Sequence, residues 1–312
     1  GSVNAIWVGR FLGEEALTAI ANANNVMFFL LGAIFGFGMA STILVGQAMG
    51  RKDLPGARKV IGSAATFFLS LSVVLSAAGL LLSRPVLAWM GTPADAMPLA
   101  VPYLRIIFLA LPLLYAFSFL SAILRGAGDT RTPFVFLLVA VLLDIVLVPL
   151  LMFGVGPLPE MGIAGSAMAT LLANAIALPA MLMWLRHRRN PLWIGRHERH
   201  LYRLDLVIVR TLVAKGVPMG AQMVLVSAAM IAMITMVNRY GTETTAAYGA
   251  ALQLWTYVQM PAMAIGAACS SMAAQNVGAG NWDRVAGTTR AGVGFNFLMT
   301  GLLIAPLILL DR

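Results

Sequence analysis

The nineteen residues from Val135 to Phe153, "VFLLVAVLLDIVLVPLLMF", carry one charged side chain, Asp144, near their middle. A run this apolar and this long can cross a bilayer core, which takes roughly 20 residues of helix. Further runs follow the same plan, over about 17–48, 58–82, 98–124, 133–153, 161–185, 207–237, 244–276 and 285–309, and residues 1–8 read as the tail of another. The apolar residues do not alternate, and the runs are too long for barrel strands of about 10 residues. Composition agrees, since 60% of the chain is hydrophobic and only 11% is charged, against about 25% charged in a soluble domain. The sequence therefore predicts an all-α polytopic membrane protein.

The breaks between runs have helix-ending chemistry. "GRKDLPGARK" (50–59) and "RGAGDTRTP" (125–133) combine Gly, Pro and Asp with basic residues, and "GVGPLPEMG" (154–162) is a tight, nearly neutral loop. Cytoplasmic loops carry the excess of Lys and Arg. Sixteen of the twenty-one basic residues lie in alternate loops near residues 50–59, 125–131, 186–215 and 284–290, whereas Arg10, Arg84, Arg105 and Arg239 fall on the other side. The net charge of +9 is thus a matter of topology, and a nucleic-acid partner is excluded. The single cysteine, Cys269, excludes an intrachain disulfide framework. The three histidines all lie in "HRRNPLWIGRHERH" (187–200), where the arginines oppose a bound metal, and no cofactor is expected. No Ser/His or His/Glu constellation falls within a span, so an enzyme is not expected either.

Of the twelve acidic residues, only Asp144 lies deep within an apolar run. A charge there costs roughly 2.5–3.5 kcal/mol on insertion scales, and such residues face a cavity or a partner. Burial favours the neutral form of a carboxyl group, which suits a group that gains and loses a proton in a cycle. A helix-bridging role through hydrogen bonds is the competing reading.

The chain also repeats itself. "VGRFLGEEALTA" (8–19) resembles "VNRYGTETTAA" (237–247), and the offset of 228 then relates Gly38 to Gly266, Gln47 to Gln275, Gly50 to Gly278 and Phe67 to Phe295. Each pair sits at the same point of the span-and-loop pattern and both copies run the same way, as in a parallel repeat. The domain plan is an N-terminal lobe at 1–186, a basic cytoplasmic linker at 187–206 and a partial second lobe at 207–312. A second unit as long as the first would run well past residue 312. The repeat thus predicts a six-plus-six protein, of which this sequence lacks most of the first span and the last three.

In order and spacing, "GRFLGEEALTAIA", "GQAMGRKDLPGARKVIG", "LRGAGDTRTP", "MGIAGSAMAT", "KGVPMGAQ" and "NVGAGNWDRV" resemble the multidrug and toxic compound extrusion (MATE) transporters. The resemblance implies two six-helix lobes around a central cavity in the plasma membrane, a monomer among membrane lipids, and export of organic cations and other amphiphilic drugs against H⁺ or Na⁺. In several members the fifth helix has an Asn or Asp, then an Asp four residues on, before a Pro. Asp144 matches the first position, but Val148, before Pro149, stands at the second. Thr170 matches a hydroxyl of the sixth helix, and Asn174 shares its helical face. Asp144, Thr170 and Asn174 are therefore the cation-coupling candidates. For the substrate cavity the candidates are Asn22, Asn25, Gln222, Met223, Gln253, Trp255 and Tyr257. Met223 belongs to a partial methionine stripe that could repack around varied ligands, and Trp255 and Tyr257 could hold flat cations. A lipid flippase of related architecture is the alternative, although the spans offer almost no deep Arg or Lys for a phosphate group.

Overall fold

Each break ends a helix by the chemistry read above. At the first, Lys52 adopts a left-handed φ of 57°, and the Asp53 carboxylate accepts the Gly56 N–H at 2.8 Å to cap the next helix. At the second, Gly128 turns the chain at φ 94°, where its missing Cβ removes the steric cost. Asp129 then accepts the Thr132 N–H at 3.0 Å and the Thr132 hydroxyl at 2.6 Å.

The computed structural model describes residues 13–154 and 160–310, with some side chains near both ends excepted. Eight long helices follow in order: α1 (Gly13–Gly50), α2 (Leu54–Trp89), α3 (Met97–Gly126), α4 (Arg131–Met152), α5 (Ile163–His187), α6 (Leu206–Val237), α7 (Thr242–Gly278) and α8 (Trp282–Leu310). Short 3₁₀ segments at Arg196–Tyr202 and Asn238–Tyr240 precede α6 and α7. Among the described residues there is no strand. Among the described residues every apolar run is helical, while the tail read at residues 1–8 lies outside them; α2 extends well beyond its 58–82 run, continuing through Pro85 to Trp89.

Among the described residues six helices are long and apolar enough to cross a membrane, namely α2 to α6 and α1 from Leu30 onward. The sequence reading gives eight such spans. α7 falls short because Ala, Gly, Ser and Gln dilute its apolar residues. The first half of α8 carries Asp283, Arg284 and Arg290, and its apolar tail after Ala305 lies outside the described side chains.

In the first lobe α3 is the hub, packed against α1, α2 and α5, while α4 and α5 form a close pair. Its core is aromatic. Phe68 stacks on Phe119 with ring centroids 4.7 Å apart, and Phe37 meets Phe67 edge-on at 5.3 Å. Tyr115, fully buried, donates its hydroxyl to the Leu30 carbonyl at 3.3 Å, so its polar tip is satisfied.

α1 also joins the two lobes by packing against α6 and α7. The contact is made by small residues. A Cβ on Gly50 would overlap the Gln275 carbonyl, and a Cβ on Gly278 would overlap the Gln47 carbonyl. These are the repeat-related pairs, so the pseudo-twofold axis passes between them. Gln275 donates to the Gly126 carbonyl at 2.8 Å, and Ser271 donates to the Arg125 carbonyl at 2.6 Å. With the basic loops taken as cytoplasmic, this junction closes the cytoplasmic side. Towards its outer end α6 is largely exposed, from Ile231 to Met236.

Candidate functional site

α4 and α5 come together because the loop between them ties their ends. The Met161 and Gly162 N–H groups donate to the Leu151 and Met152 carbonyls, each at 3.2 Å. Gly165 permits the approach, since a Cβ there would lie 2.6 Å from the Leu151 oxygen. Asp144 is eight residues before Met152, or about 12 Å along the helix, well inside the apolar layer.

At that depth Thr170 donates its hydroxyl to Asp144 Oδ1 at 2.8 Å. The same hydroxyl lies 3.2 Å from the Ser166 carbonyl. One turn further on, the Asn174 side chain donates to the Thr170 carbonyl at 2.8 Å. Ser166, Thr170 and Asn174 therefore form one row at i, i+4 and i+8 on α5, and Asp144 meets that row from α4. Asp144 and Thr170 are half-buried and Asn174 is buried. The ion pairs among the described residues are Arg58–Glu198 and Lys59–Asp205, both at the linker, so Asp144 is met by a hydroxyl rather than a cation.

The sequence reading leaves out two members of this cluster. Tyr103, from α3, is buried beside the Ser166 side chain and lies within electrostatic reach of Asp144. Ser166 had a signal in its spacing, four residues before Thr170. Tyr103 had none, because it comes from another helix. Val148, at the position of the second family acid, is fully buried with Leu151 and Ala169, in surroundings that suit an apolar side chain.

Pro149 and Pro179 each follow a polar residue of the cluster by five positions. Having no N–H, they leave the Ile145 and Ala175 carbonyls without the usual helical donor. Among the described residues, no group of three or more His, Cys, Asp or Glu is arranged to hold a metal.

The cavity candidates are more scattered. Asn22 and Asn25 lie outside the described side chains. Met223 faces α1, its Cβ 3.9 Å from a Cβ built on Gly32, and Gln222 beside it is exposed. The Gln253 side chain donates to the Tyr257 hydroxyl at 3.2 Å on one face of α7. Trp255, two residues from each, points to the opposite face and is 54% exposed.

The linker is strapped to α2. Arg58 donates to the Pro191 carbonyl and to Glu198 Oε1 at 2.8 and 2.7 Å, Lys59 pairs with Asp205 at 2.6 Å, and Thr66 donates to the Tyr202 carbonyl at 2.7 Å. The Gly195 N–H, with Arg58 beside it, holds the Glu198 carboxyl below its ordinary range, and Lys59 does the same for Asp205.

The MatE family model matches residues 2–150 and 218–311. The probable multidrug resistance protein YoeA of Bacillus subtilis (strain 168) is 37% identical over 97% of this chain, and the probable multidrug resistance protein YpnP of the same organism is 34% identical over 91%. The chain spans 65% and 62% of the length of these two relatives. A crystal structure of MATE in complex with MaD5 superposes with a TM-score of 0.90 at 22% identity, over 99% of this chain and 68% of that one. At that identity the match establishes the fold.

Proposed function

The chain belongs to the MatE family, the multidrug and toxic compound extrusion transporters, and from that premise we propose that it works in a secondary active exporter of amphiphilic, mainly cationic drugs. It is a multi-pass membrane protein, and YoeA and YpnP carry the name of probable multidrug resistance proteins. In this reading the exporter sits in the plasma membrane and exchanges drug for H⁺ or Na⁺ by alternating access.

The observation that carries the reading is the Asp144–Thr170 hydrogen bond, 2.8 Å long, at mid-depth of an otherwise apolar helix. The Thr170 hydroxyl has one proton and two acceptors in reach, the Asp144 carboxylate and the Ser166 carbonyl. While Asp144 is ionised, the hydroxyl donates to it. When Asp144 takes a proton, the hydroxyl turns to the Ser166 carbonyl and accepts from the acid. Charge at Asp144 is thereby tied to the rotamer of Thr170 on α5, and Tyr103 on α3 lies within electrostatic reach of it. A sodium ion would use the same carboxylate and hydroxyl oxygens.

The lobes meet through glycines on the cytoplasmic side, which fits a state that accepts ions from outside and releases drug there. Antiport requires drug and ion to weaken each other's binding. Gln222, Met223, Gln253 and Tyr257, with Asn22 and Asn25, are the proposed drug-facing residues, and Trp255 stands apart from them on the opposite side of α7. The test is drug efflux by the full-length protein in everted vesicles under imposed pH or sodium gradients. Asp144→Asn should retain drug binding and lose the response to one gradient, which names the ion. A mutant that still responds to both gradients would make Asp144 a purely structural bridge.

A further inference from the structure

The linker does more than connect. α2 and α5 both pack against α3 but scarcely against each other. Between them lies a slot with α3 as its floor, and its cytoplasmic end is roofed by linker residues 190–202. The slot encloses a cavity of about 220 Å³, walled by Phe68, Leu69, Ala116, Leu182 and Trp193. Among the described residues its polar lining comes from the roof, where Asn190 and Tyr202 stand. Leu69, on the lip, is 54% exposed, so the slot opens sideways from the helix bundle.

Volume and lining argue against a drug. Sites for drug-sized ligands run from about 300 Å³ upward and place several polar groups to fix orientation. This cavity is smaller and nearly all apolar, which suits a flexible hydrocarbon chain.

The charge at the mouth names the other end of the occupant. Leu185 and Asn190 both line the cavity, and Arg186, Arg188 and Arg189, all exposed, lie between them in the chain. Arg203 follows Tyr202. Arg188 stacks 4.7 Å above the Trp184 ring, the posture of a cation at a membrane interface. The linker acids Glu198 and Asp205 are already engaged by Arg58 and Lys59 from α2, so they do not neutralise these arginines. The strap thus leaves a positive rim above an apolar slot.

We propose that this slot is a binding site for one acyl chain of an anionic phospholipid of the cytoplasmic leaflet, with its headgroup held by Arg186, Arg188 and Arg189. The site is separate from the Asp144 cluster and stands whether or not that cluster couples ions.

Trp193 makes the proposal measurable, because bromine on an acyl chain quenches nearby indole fluorescence. The full-length protein is placed in phosphatidylcholine vesicles with a minor fraction of brominated phosphatidylglycerol or, separately, brominated phosphatidylcholine. The Trp193 contribution is the difference between the unmodified protein and Trp193→Phe. It should favour phosphatidylglycerol by at least about fivefold, the factor expected for one arginine near an anionic lipid. Ala116→Leu, which fills the slot, should reduce that contribution to the level of bulk lipid. Arg186→Gln with Arg189→Gln should abolish the preference and leave the quenching. Because both arginines are exposed, this pair decides the question even if Ala116→Leu does not fold. Equal quenching by the two lipids in the unmodified protein, or none by either because protein covers the slot, would overturn the proposal.

Discussion

Phe67 and Phe295 are related by the internal repeat, yet they live in different surroundings. Phe67 packs edge-on against Phe37 and Phe68 in the aromatic core of the first lobe, whereas Phe295 on α8 is 52% exposed. Gly38 and Gly266 differ in the same way. A Cβ on Gly38 would meet Ala122 at 3.7 Å, while one on Gly266 would meet nothing within 4 Å. Gly50 and Gly278 are equally enclosed, because each faces the other's neighbouring strand of helix across the pseudo-twofold axis. Gly38 meets Ala122 of α3, and the repeat offset of 228 puts the equivalent of α3 beyond these 312 residues, so the pairs on the axis are the ones whose surroundings can be compared within this chain. Elsewhere burial depends on which helices stand alongside.

This contrast can be broken in graded steps. The largest effect should come from Phe67→Ala, which removes an aromatic ring from a packed core and should cost about 3–5 kcal/mol. In this 312-residue chain Phe295→Ala should stay within about 0.5 kcal/mol, and unfolding in detergent compares the two. If both variants lose equally, the lobes are packed alike. Next comes the axis. Gly50→Leu and Gly278→Leu should each cost about 1–3 kcal/mol by overpacking and should open the cytoplasmic junction by similar amounts, read as spin-label distances between α1 and α7. In the same 312-residue chain, where a Cβ on Gly266 meets nothing within 4 Å, Gly266→Leu serves as the quiet control.

A smaller effect separates two hydroxyls that look alike in sequence. Thr170 donates between helices to Asp144, while Ser227 donates to the Met223 carbonyl of its own helix at 2.8 Å. Thr170→Val should lower ion-driven efflux about tenfold, consistent with the loss of one hydrogen bond to a charged group, and Ser227→Ala should leave it within about twofold. The smallest effect belongs to the linker. Glu198 and Asp205 titrate below their ordinary values of 4.5 and 3.8. A lowered carboxyl contributes its stability above the ordinary value and loses it as pH falls through the folded-state value. Proteolysis of the linker should thus be slow at neutral pH and accelerate only in acid below those values. Arg58→Gln should give a slight acceleration already at neutral pH, since an exposed ion pair is screened by salt.

Much of this was legible in the sequence. The eight apolar runs become eight helices because length and hydropathy are local properties. Asp144 and Thr170 could be paired because the family resemblance aligned two helices that composition alone could not. The row of Ser166, Thr170 and Asn174 follows from helical spacing. Tyr103 was hidden because it reaches the cluster by tertiary packing. The strap of the linker onto α2 was hidden for the same reason: Arg58 and Glu198 are 140 residues apart. Grouping Trp255 with Gln253 and Tyr257 overlooked that residues two apart on a helix point to opposite sides.

The central claim, that drug and cation compete through Asp144, is tested most directly by counting ions released when drug binds. Calorimetric titration of the full-length protein in buffers of different ionisation enthalpy, with a sodium electrode in parallel, gives that count. The account predicts about one ion released per drug in the unmodified protein and close to none in Asp144→Asn, with drug still bound, as reciprocal linkage requires. The same release from both proteins would contradict it.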